Sequence, residues 1–139
     1  QLAFMVSLFV IVALGLIVYR TNRGVLLFSV AVLLHFLLSI NALIAFISLY
    51  IYELPTHHCP FCLLHQEYGY IGYPMYGAML ISAVGGLGAG TIHPCRTGTS
   101  LKEVVPPLQK RLALVSLIAA LLFALIAGWS IVFSNLSFS

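Results

Sequence analysis

Long apolar runs alternate with short polar segments along this chain. An α-helix that crosses a bilayer needs roughly 20 apolar residues, so each run is a candidate membrane span. The runs cover residues of about 2–19, 25–52, 68–89 and 111–133. The pattern predicts an all-α protein, an integral membrane four-helix bundle that forms a single membrane domain over residues 1–139.

The composition supports a lipid bilayer as the main partner of the chain. Hydrophobic residues make up 62% of the sequence and charged residues 6%, which is outside the usual range of soluble domains. The net charge of +3 does not indicate nucleic-acid binding, because every basic residue lies in or beside one of two connections between the runs. These residues are Arg20, Arg23, Arg96, Lys102, Lys110 and Arg111.

The basic residues also predict the orientation. They lie after the first run and in the loop 90–110, and the positive-inside rule places both connections in the cytoplasm. The loop 53–67 and both termini are then expected on the non-cytoplasmic side. In a bacterial inner membrane this side is the periplasm.

Two prolines and a possible helix start divide the cytoplasmic loop. Ser100 and Glu103 have the spacing of a capping box, which predicts a short interfacial helix. Pro106 and Pro107 are expected to end it, because proline lacks the N–H group that a helix interior needs.

Two cysteines and three histidines lie close together in the loop 53–67. Cys59 and Cys62 have C-x-x-C spacing, with Pro60 and Phe61 between them. If Cys59 caps a helix, Pro60 takes the favoured first position, and free N–H groups stabilise the Cys59 thiolate. This suits thiol–disulfide exchange, in which Cys59 attacks and Cys62 resolves the mixed disulfide. Glu67 or His58 is close enough in sequence to carry a proton.

The histidines favour a different chemistry. If residues 58–66 are helical, His58, Cys62 and His65 project from one face, beside Cys59. Two thiolates and one or two imidazoles could complete a tetrahedral zinc site or a copper site. A third interpretation is a stabilising disulfide with histidines that only decorate the loop. The candidate metal ligands are His57, His58, Cys59, Cys62 and His65.

Aromatic and small residues have their own patterns. Tyrosines are concentrated near the outer ends of the second and third runs, which indicates an aromatic belt at the headgroups. Alternatively, they form a wall for a quinone, with Tyr68 and Tyr73 as candidate cofactor-binding residues. Gly86 and Gly90 have the small-xxx-small spacing that predicts close contact with a neighbouring helix.

One stretch of the sequence resembles a known family. It lies between an outgoing apolar run and a returning run that contains glycines, and it reads Cys59-Pro60-Phe61-Cys62-Leu63-Leu64-His65-Gln66-Glu67-Tyr68. It is similar to the membrane disulfide-forming quinone reductases of the DsbB and vitamin K epoxide reductase type. The resemblance implies a four-helix bundle whose Cys59–Cys62 pair passes electrons to a quinone. Gln66 occupies the position of an arginine that lies near the quinone in DsbB, so it joins the cofactor-binding candidates.

The family's second cysteine pair has no counterpart here. The remaining cysteine, Cys95, is expected at the cytoplasmic end of the third run, about 30 Å away across the hydrocarbon core. The sequence thus predicts a membrane thiol–disulfide redox protein with a periplasm-facing pair and a quinone or a partner protein as electron acceptor. The alternative is a non-catalytic accessory subunit of a larger membrane complex, whose cluster binds zinc or copper or docks another membrane or periplasmic subunit.

Overall fold

The computed structural model describes residues 2–53, 59–97 and 102–134. Within these ranges 87% of the residues are helical and no β-strand occurs, which confirms the predicted all-α class. The long helices are α1 (Leu2–Thr21), α2 (Val25–Tyr52), α3 (Gly72–Thr91) and α4 (Val105–Val132).

Three of the described helices, α1, α2 and α4, are long and apolar enough to cross a membrane. By length and composition, these three helices therefore fit the predicted membrane-spanning runs. The 20-residue helix α3 is as long as α1 but does not meet the same standard, because glycines and tyrosines interrupt its apolar residues. Large apolar side chains point away from the helix contacts, among them Phe9, Leu27 and Leu125, and they provide an apolar surface for lipid.

The second helix follows the predicted bounds but is not uniform. The chain forms one wide π-helical turn, Leu43–Ile47, before the α-helix resumes at Ser48–Tyr52. Such turns insert an extra residue in a helix and often occur at functional sites. Glu53 ends the helix in a left-handed conformation, with φ 54°.

Both later helices start elsewhere than predicted. The third begins at Gly72 and not at residue 68, because Gly69 and Tyr70 both have positive φ and interrupt the helix. The fourth begins at Val105, so Pro106 and Pro107 lie in its first turn, where the missing N–H groups are not needed. The prediction that this proline pair ends a short helix was wrong; it starts a long one. Ser100 of the predicted capping box lies outside the described residues.

The helices pack in a closed order, with α1 against α2 and α4, and α3 against the same two helices. Two apolar clusters fill the space between them. One cluster joins Phe4, Tyr52, Leu63 and Ala127, and thus defines what we term the cysteine end. The other joins the end of α1, the start of α2, the end of α3 and the start of α4. This second end is termed the basic end, since the connections with the lysines and arginines lie there.

Small residues on α3 allow the close contacts. A Cβ on Gly86 would lie 2.6–2.7 Å from three side-chain atoms of Val32, and a Cβ on Gly90 would overlap with Ser29. Both neighbours belong to α2, so the predicted small-xxx-small contact is confirmed. Gly85 faces the opposite way, where a Cβ would lie 3.0 Å from the Leu112 carbonyl oxygen on α4.

Candidate functional site

The C-x-x-C pair lies in a short turn that crosses the cysteine end. Cys59 is extended (φ −74°, ψ 111°) and caps the 3₁₀ helix Pro60–Leu64, with Pro60 in its first turn. The predicted cap and proline positions are therefore confirmed. His65 then returns to an extended conformation (φ −82°, ψ 154°) before a second 3₁₀ turn, Gln66–Tyr68. The described part of 58–66 is thus not one α-helix, so the geometry that would align His65 with Cys62 is absent there.

One leucine and one glycine attach this turn to the helices. Leu63 is fully buried in the apolar cluster of the cysteine end, and Cys62 packs against the same cluster. Gly72, at the start of α3, lies so close that a Cβ there would be 2.9 Å from the Leu63 carbonyl carbon. The thiol-bearing turn therefore rests directly on the first turn of α3.

Two tyrosines, one on α2 and one on α3, form hydrogen bonds to the beginning of the turn. Tyr52, the last residue of α2, donates a hydrogen bond from its hydroxyl to the Cys59 carbonyl oxygen. Tyr76, in the second turn of α3, donates to the Pro60 carbonyl oxygen at 2.6 Å. The sequence places both residues in the tyrosine cluster, but a cluster of tyrosines carries no signal for bonds to two consecutive carbonyls.

The two thiols are free, partly buried and electrostatically different. Hydrogen bonding from the Cys62 side chain, followed by the backbone N–H groups of Cys62 and Phe61, lowers the pKa of Cys59. The Cys59 side chain forms no conventional capping bond, but these N–H groups lie near enough to its sulfur to stabilise a thiolate. The same side-chain interaction raises the pKa of Cys62, with burial and the negative charges of Cys59 and Glu67 adding to it.

The other predicted site residues that the structure describes differ in exposure and in their neighbours. His65, Gln66 and Glu67 are exposed, and Glu67 is near enough to act on Cys62. Tyr68 is half-buried and its ring centroid lies 4.6 Å from that of Tyr52.

Tyr73 is 60% exposed, and its ring contacts Tyr70 at a centroid distance of 6.0 Å. Tyr68 and Tyr73 therefore have different aromatic neighbours, which gives no support to one continuous quinone wall.

The predicted metal site is only partly covered by the described residues. Among residues 2–53, 59–97 and 102–134, no three histidine, cysteine or acidic side chains are grouped so as to hold a metal ion. His57 and His58 lie outside the described residues. The five-residue ligand set consequently stays a prediction.

A cleft at the cysteine end has no counterpart in the sequence predictions. It has a volume of about 170 Å³ and opens between α1, α2 and α4. Its walls include Phe4 of α1, the π-turn residues Phe46 and Ile47, and Gly128 of α4. Because the π turn shapes this wall, and no sequence pattern marks a π turn, the cleft could not be found from hydropathy.

The third cysteine belongs to the opposite end of the molecule. Cys95 is exposed in the turn Pro94–Thr97, beyond the last residue of α3. The 20 residues of α3 separate this turn from the C-x-x-C pair, a distance of about 30 Å at 1.5 Å per residue. Cys95 therefore cannot resolve a disulfide with Cys59 or Cys62 in the same chain.

Fold and site together define the class of the protein: an α-helical chain that has three candidate membrane spans among its described residues and a pair of unlike thiols at one end. A scan against models of protein families found no match. Searches of curated proteins and of solved structures found no match either.

Proposed function

We propose that this chain is a membrane thiol–disulfide redox protein in which Cys59 attacks and Cys62 resolves. The observation that supports this role is the opposite character of two neighbouring thiols. Hydrogen bonding from Cys62 lowers the pKa of Cys59, and the same interaction raises the pKa of Cys62, so Cys59 is the thiol that ionises first. A thiolate is the attacking species in disulfide exchange, so this asymmetry gives the two cysteines different roles.

The proposed reaction conserves electrons and protons. The Cys59 thiolate adds to an electrophilic acceptor, either a quinone ring or a disulfide of a partner protein. Cys62 then loses its proton and attacks the Cys59 sulfur, which forms the Cys59–Cys62 disulfide and releases the acceptor. The two thiols give up two electrons and two protons, and the acceptor becomes a quinol or a dithiol. Glu67, which lies near Cys62, is placed to receive the proton of the resolving thiol.

We propose that all four long helices cross the bilayer as a bundle, in which α3 packs against α2 and α4. Gly86 and Gly90 face α2, and Gly85 and Gly88 face α4, so the glycine-rich half of α3 is covered by protein and not by lipid. The lysines and arginines lie in or beside the connections of the basic end, so the positive-inside rule favours the cytoplasm for that end. The cysteine end then faces the periplasm of a bacterial inner membrane, where a disulfide can persist.

The test is redox cycling of the purified full chain in detergent. We expect a soluble ubiquinone analogue to be reduced by one equivalent per Cys59–Cys62 disulfide formed, as followed by thiol labelling and mass spectrometry. Cys59→Ser should abolish the reaction. Cys95→Ser is the matched control, because this thiol lies at the other end, and it should leave the reaction unchanged.

The same preparation tests the accessory-subunit alternative. Absence of quinone reduction, together with absence of exchange with a protein disulfide, would overturn the redox proposal. Stoichiometric zinc or copper that is lost in both Cys62→Ser and His65→Ala would favour a metal-binding subunit in its place.

A further inference from the structure

One layer in the interior of the bundle is polar, and all four long helices contribute to it. Its members are Ser7 on α1, His35 and Ser39 on α2, Ser82 on α3 and Ser116 on α4. All of them except Ser7 are buried. On α1, α2 and α3 this polar layer lies between residues of the two apolar clusters. A buried polar group costs free energy unless it is hydrogen-bonded, so each group in the layer needs a partner.

The bond between Ser7 and His35 determines which imidazole nitrogen carries the proton. The Ser7 hydroxyl donates its proton to the Phe4 carbonyl oxygen, so its own oxygen accepts a hydrogen bond from His35 Nδ1 at 2.8 Å. In the neutral imidazole the proton is therefore on Nδ1, and Nε2 keeps its lone pair. The α2 side of the polar layer thus provides a hydrogen-bond acceptor.

The serines of α3 and α4 provide a donor on the other side. Ser116 donates its hydroxyl proton to the Ser82 carbonyl oxygen at 2.7 Å. The two hydroxyl oxygens are 3.4 Å apart, which is longer than the ordinary O–H···O distance of about 2.5–3.0 Å. A closer acceptor would therefore take the Ser82 proton more favourably than Ser116 does.

A small cavity borders both His35 and Ser82. It has a volume of about 10 Å³, and Ser39, Met79 and Phe123 also line it. A single water molecule requires a similar volume, roughly 10–15 Å³. The Ser39 hydroxyl donates to the His35 carbonyl oxygen at 2.7 Å, so its oxygen is left as an acceptor. One acceptor nitrogen, one acceptor oxygen and one hydroxyl donor match the two protons and the lone pairs of water.

We propose that this cavity is a binding site for one structural water molecule. The water donates its protons to His35 Nε2 and to the Ser39 oxygen, and it accepts a hydrogen bond from the Ser82 hydroxyl. Buried waters in proteins make about three such bonds. The bridge between α2 and α3 rests on His35 and Ser82, since Ser39 belongs to the same helix as His35. With the direct bonds of Ser7 and Ser116, the water completes a hydrogen-bonded chain through all four helices.

The water gives α3 a polar attachment in the middle of the bundle. Ser82 lies halfway along this helix, which runs from Gly72 to Thr91. Apolar contacts are not directional, whereas a hydrogen bond requires a defined distance and angle. The bridge therefore fixes the rotation and the register of α3 against α2. This role is independent of the thiol chemistry at the cysteine end.

The experiment is solid-state NMR of the full chain in lipid bilayers, with ¹⁵N-labelled histidine. The His35 signals are identified by their loss in His35→Asn. We expect transfer of magnetisation from water to the His35 ring, and an Nε2 signal upfield of an imidazole nitrogen that accepts no hydrogen bond. Ser82→Ala should weaken this transfer and move the Nε2 signal downfield, because the water loses its donor on α3.

Ser116→Ala is the matched control. It removes another buried hydroxyl of the polar layer, whose proton goes to the Ser82 carbonyl and not to the cavity, so both readouts should stay as in the wild type. The proposal is overturned if the wild type shows no transfer from water to His35, and this measurement decides even if Ser82→Ala does not fold. It is also overturned if Ser82→Ala leaves both readouts unchanged, or if Ser116→Ala weakens the transfer as much.

Discussion

Gly72 lies against the backbone of Leu63, with no room for a side chain between them. A Cβ on Gly72 would be 2.9 Å from the Leu63 carbonyl carbon, its carbonyl oxygen and its Cβ. Leu63 is fully buried, so it cannot move aside without opening the apolar cluster. This contact holds the turn that carries both thiols on the start of α3.

Gly72→Ala should displace the thiol-bearing turn. Because backbone atoms would have to move, we expect the free energy of unfolding to fall by about 1–3 kcal/mol, as for overpacked cores. Alkylation of Cys62 should become faster as the turn lifts from the cluster. Both are measured on the detergent-solubilised protein, by thermal unfolding and by mass spectrometry.

Gly77→Ala is the control for this change, since a Cβ there would meet nothing within 4 Å. It should leave Cys62 reactivity unchanged and stabilise the helix slightly. An equal loss of stability in both variants would show that the contact with Leu63 does not cause the destabilisation by Gly72→Ala.

The pKa values of the two thiols should differ from that of an ordinary cysteine in opposite directions, lower for Cys59 and higher for Cys62. Since the pKa of folded Cys59 is lowered, the stabilisation of its thiolate is fully present above the ordinary thiol pKa and is lost as the pH falls through the lowered value. Cys62 should reach its thiolate form only above the ordinary range. Site-resolved alkylation rates against pH measure both midpoints.

Removal of the Cys62 thiol tests the cause of this difference. Its side chain is the largest contributor to the lowered Cys59 pKa, so Cys62→Ala should raise the Cys59 midpoint. Cys62→Ser keeps a donor at the same place and should restore part of the shift. An unchanged midpoint in Cys62→Ala would assign the effect to the backbone N–H groups alone.

The buried His35 on α2 shares a hydrogen bond with Ser7 on α1. Ser7 of α1 donates its hydroxyl proton to the Phe4 carbonyl at 2.8 Å, so its oxygen can only accept from His35 Nδ1, also at 2.8 Å. His35 is buried, and Ser7→Ala would leave its Nδ1–H without this partner. We expect a loss of about 1–3 kcal/mol in the free energy of unfolding.

The control for this prediction is Ser39, a buried serine on α2. The Ser39 hydroxyl bonds to the carbonyl of its own helix at His35, so Ser39→Ala removes no bond between helices. It should cost clearly less than Ser7→Ala in thermal unfolding. Equal effects would mean that the contact between the first two helices contributes little.

The sequence predicted what depends on local chemistry and hydropathy. The bounds of α2, the cap at Cys59 with Pro60 after it, and the Gly86 contact all follow from spacing or from the properties of single residues. Features that depend on tertiary contacts were missed. The chain breaks its helix at His65 where burial of Leu63 and the contact with Gly72 hold the turn on α3, and no periodicity shows such a contact.

Proline and π-helical positions show the same limit. From the sequence alone, Pro106 can either end a helix or begin one. The helix Val105–Val132 shows that Pro106 lies at the beginning of a helix. The π turn Leu43–Ile47 occurs within an unbroken apolar run, so the cleft that it helps to form leaves no trace in the pattern.

The contact between α2 and α3 can be tested by a double-mutant cycle on Gly86 and Val32. Gly86→Ala places a methyl group within 2.6–2.7 Å of the buried Val32 side chain and should lower the free energy of unfolding by about 1–3 kcal/mol. Gly88→Ala is the matched control, because its Cβ would meet only Leu112, at an ordinary 3.7 Å.

Shortening the opposing side chain should rescue the crowded variant. In a Val32→Ala background, Gly86→Ala should cost much less than in the wild type, which gives a coupling energy of about 0.5–3 kcal/mol for residues in contact. Glycine-to-alanine changes in a helix are stabilising by roughly 0.5–1 kcal/mol when space permits. If Val32→Ala removes the loss of stability caused by Gly86→Ala, that loss has a steric cause. Additive effects of the two substitutions would contradict the close approach of Gly86 to Val32.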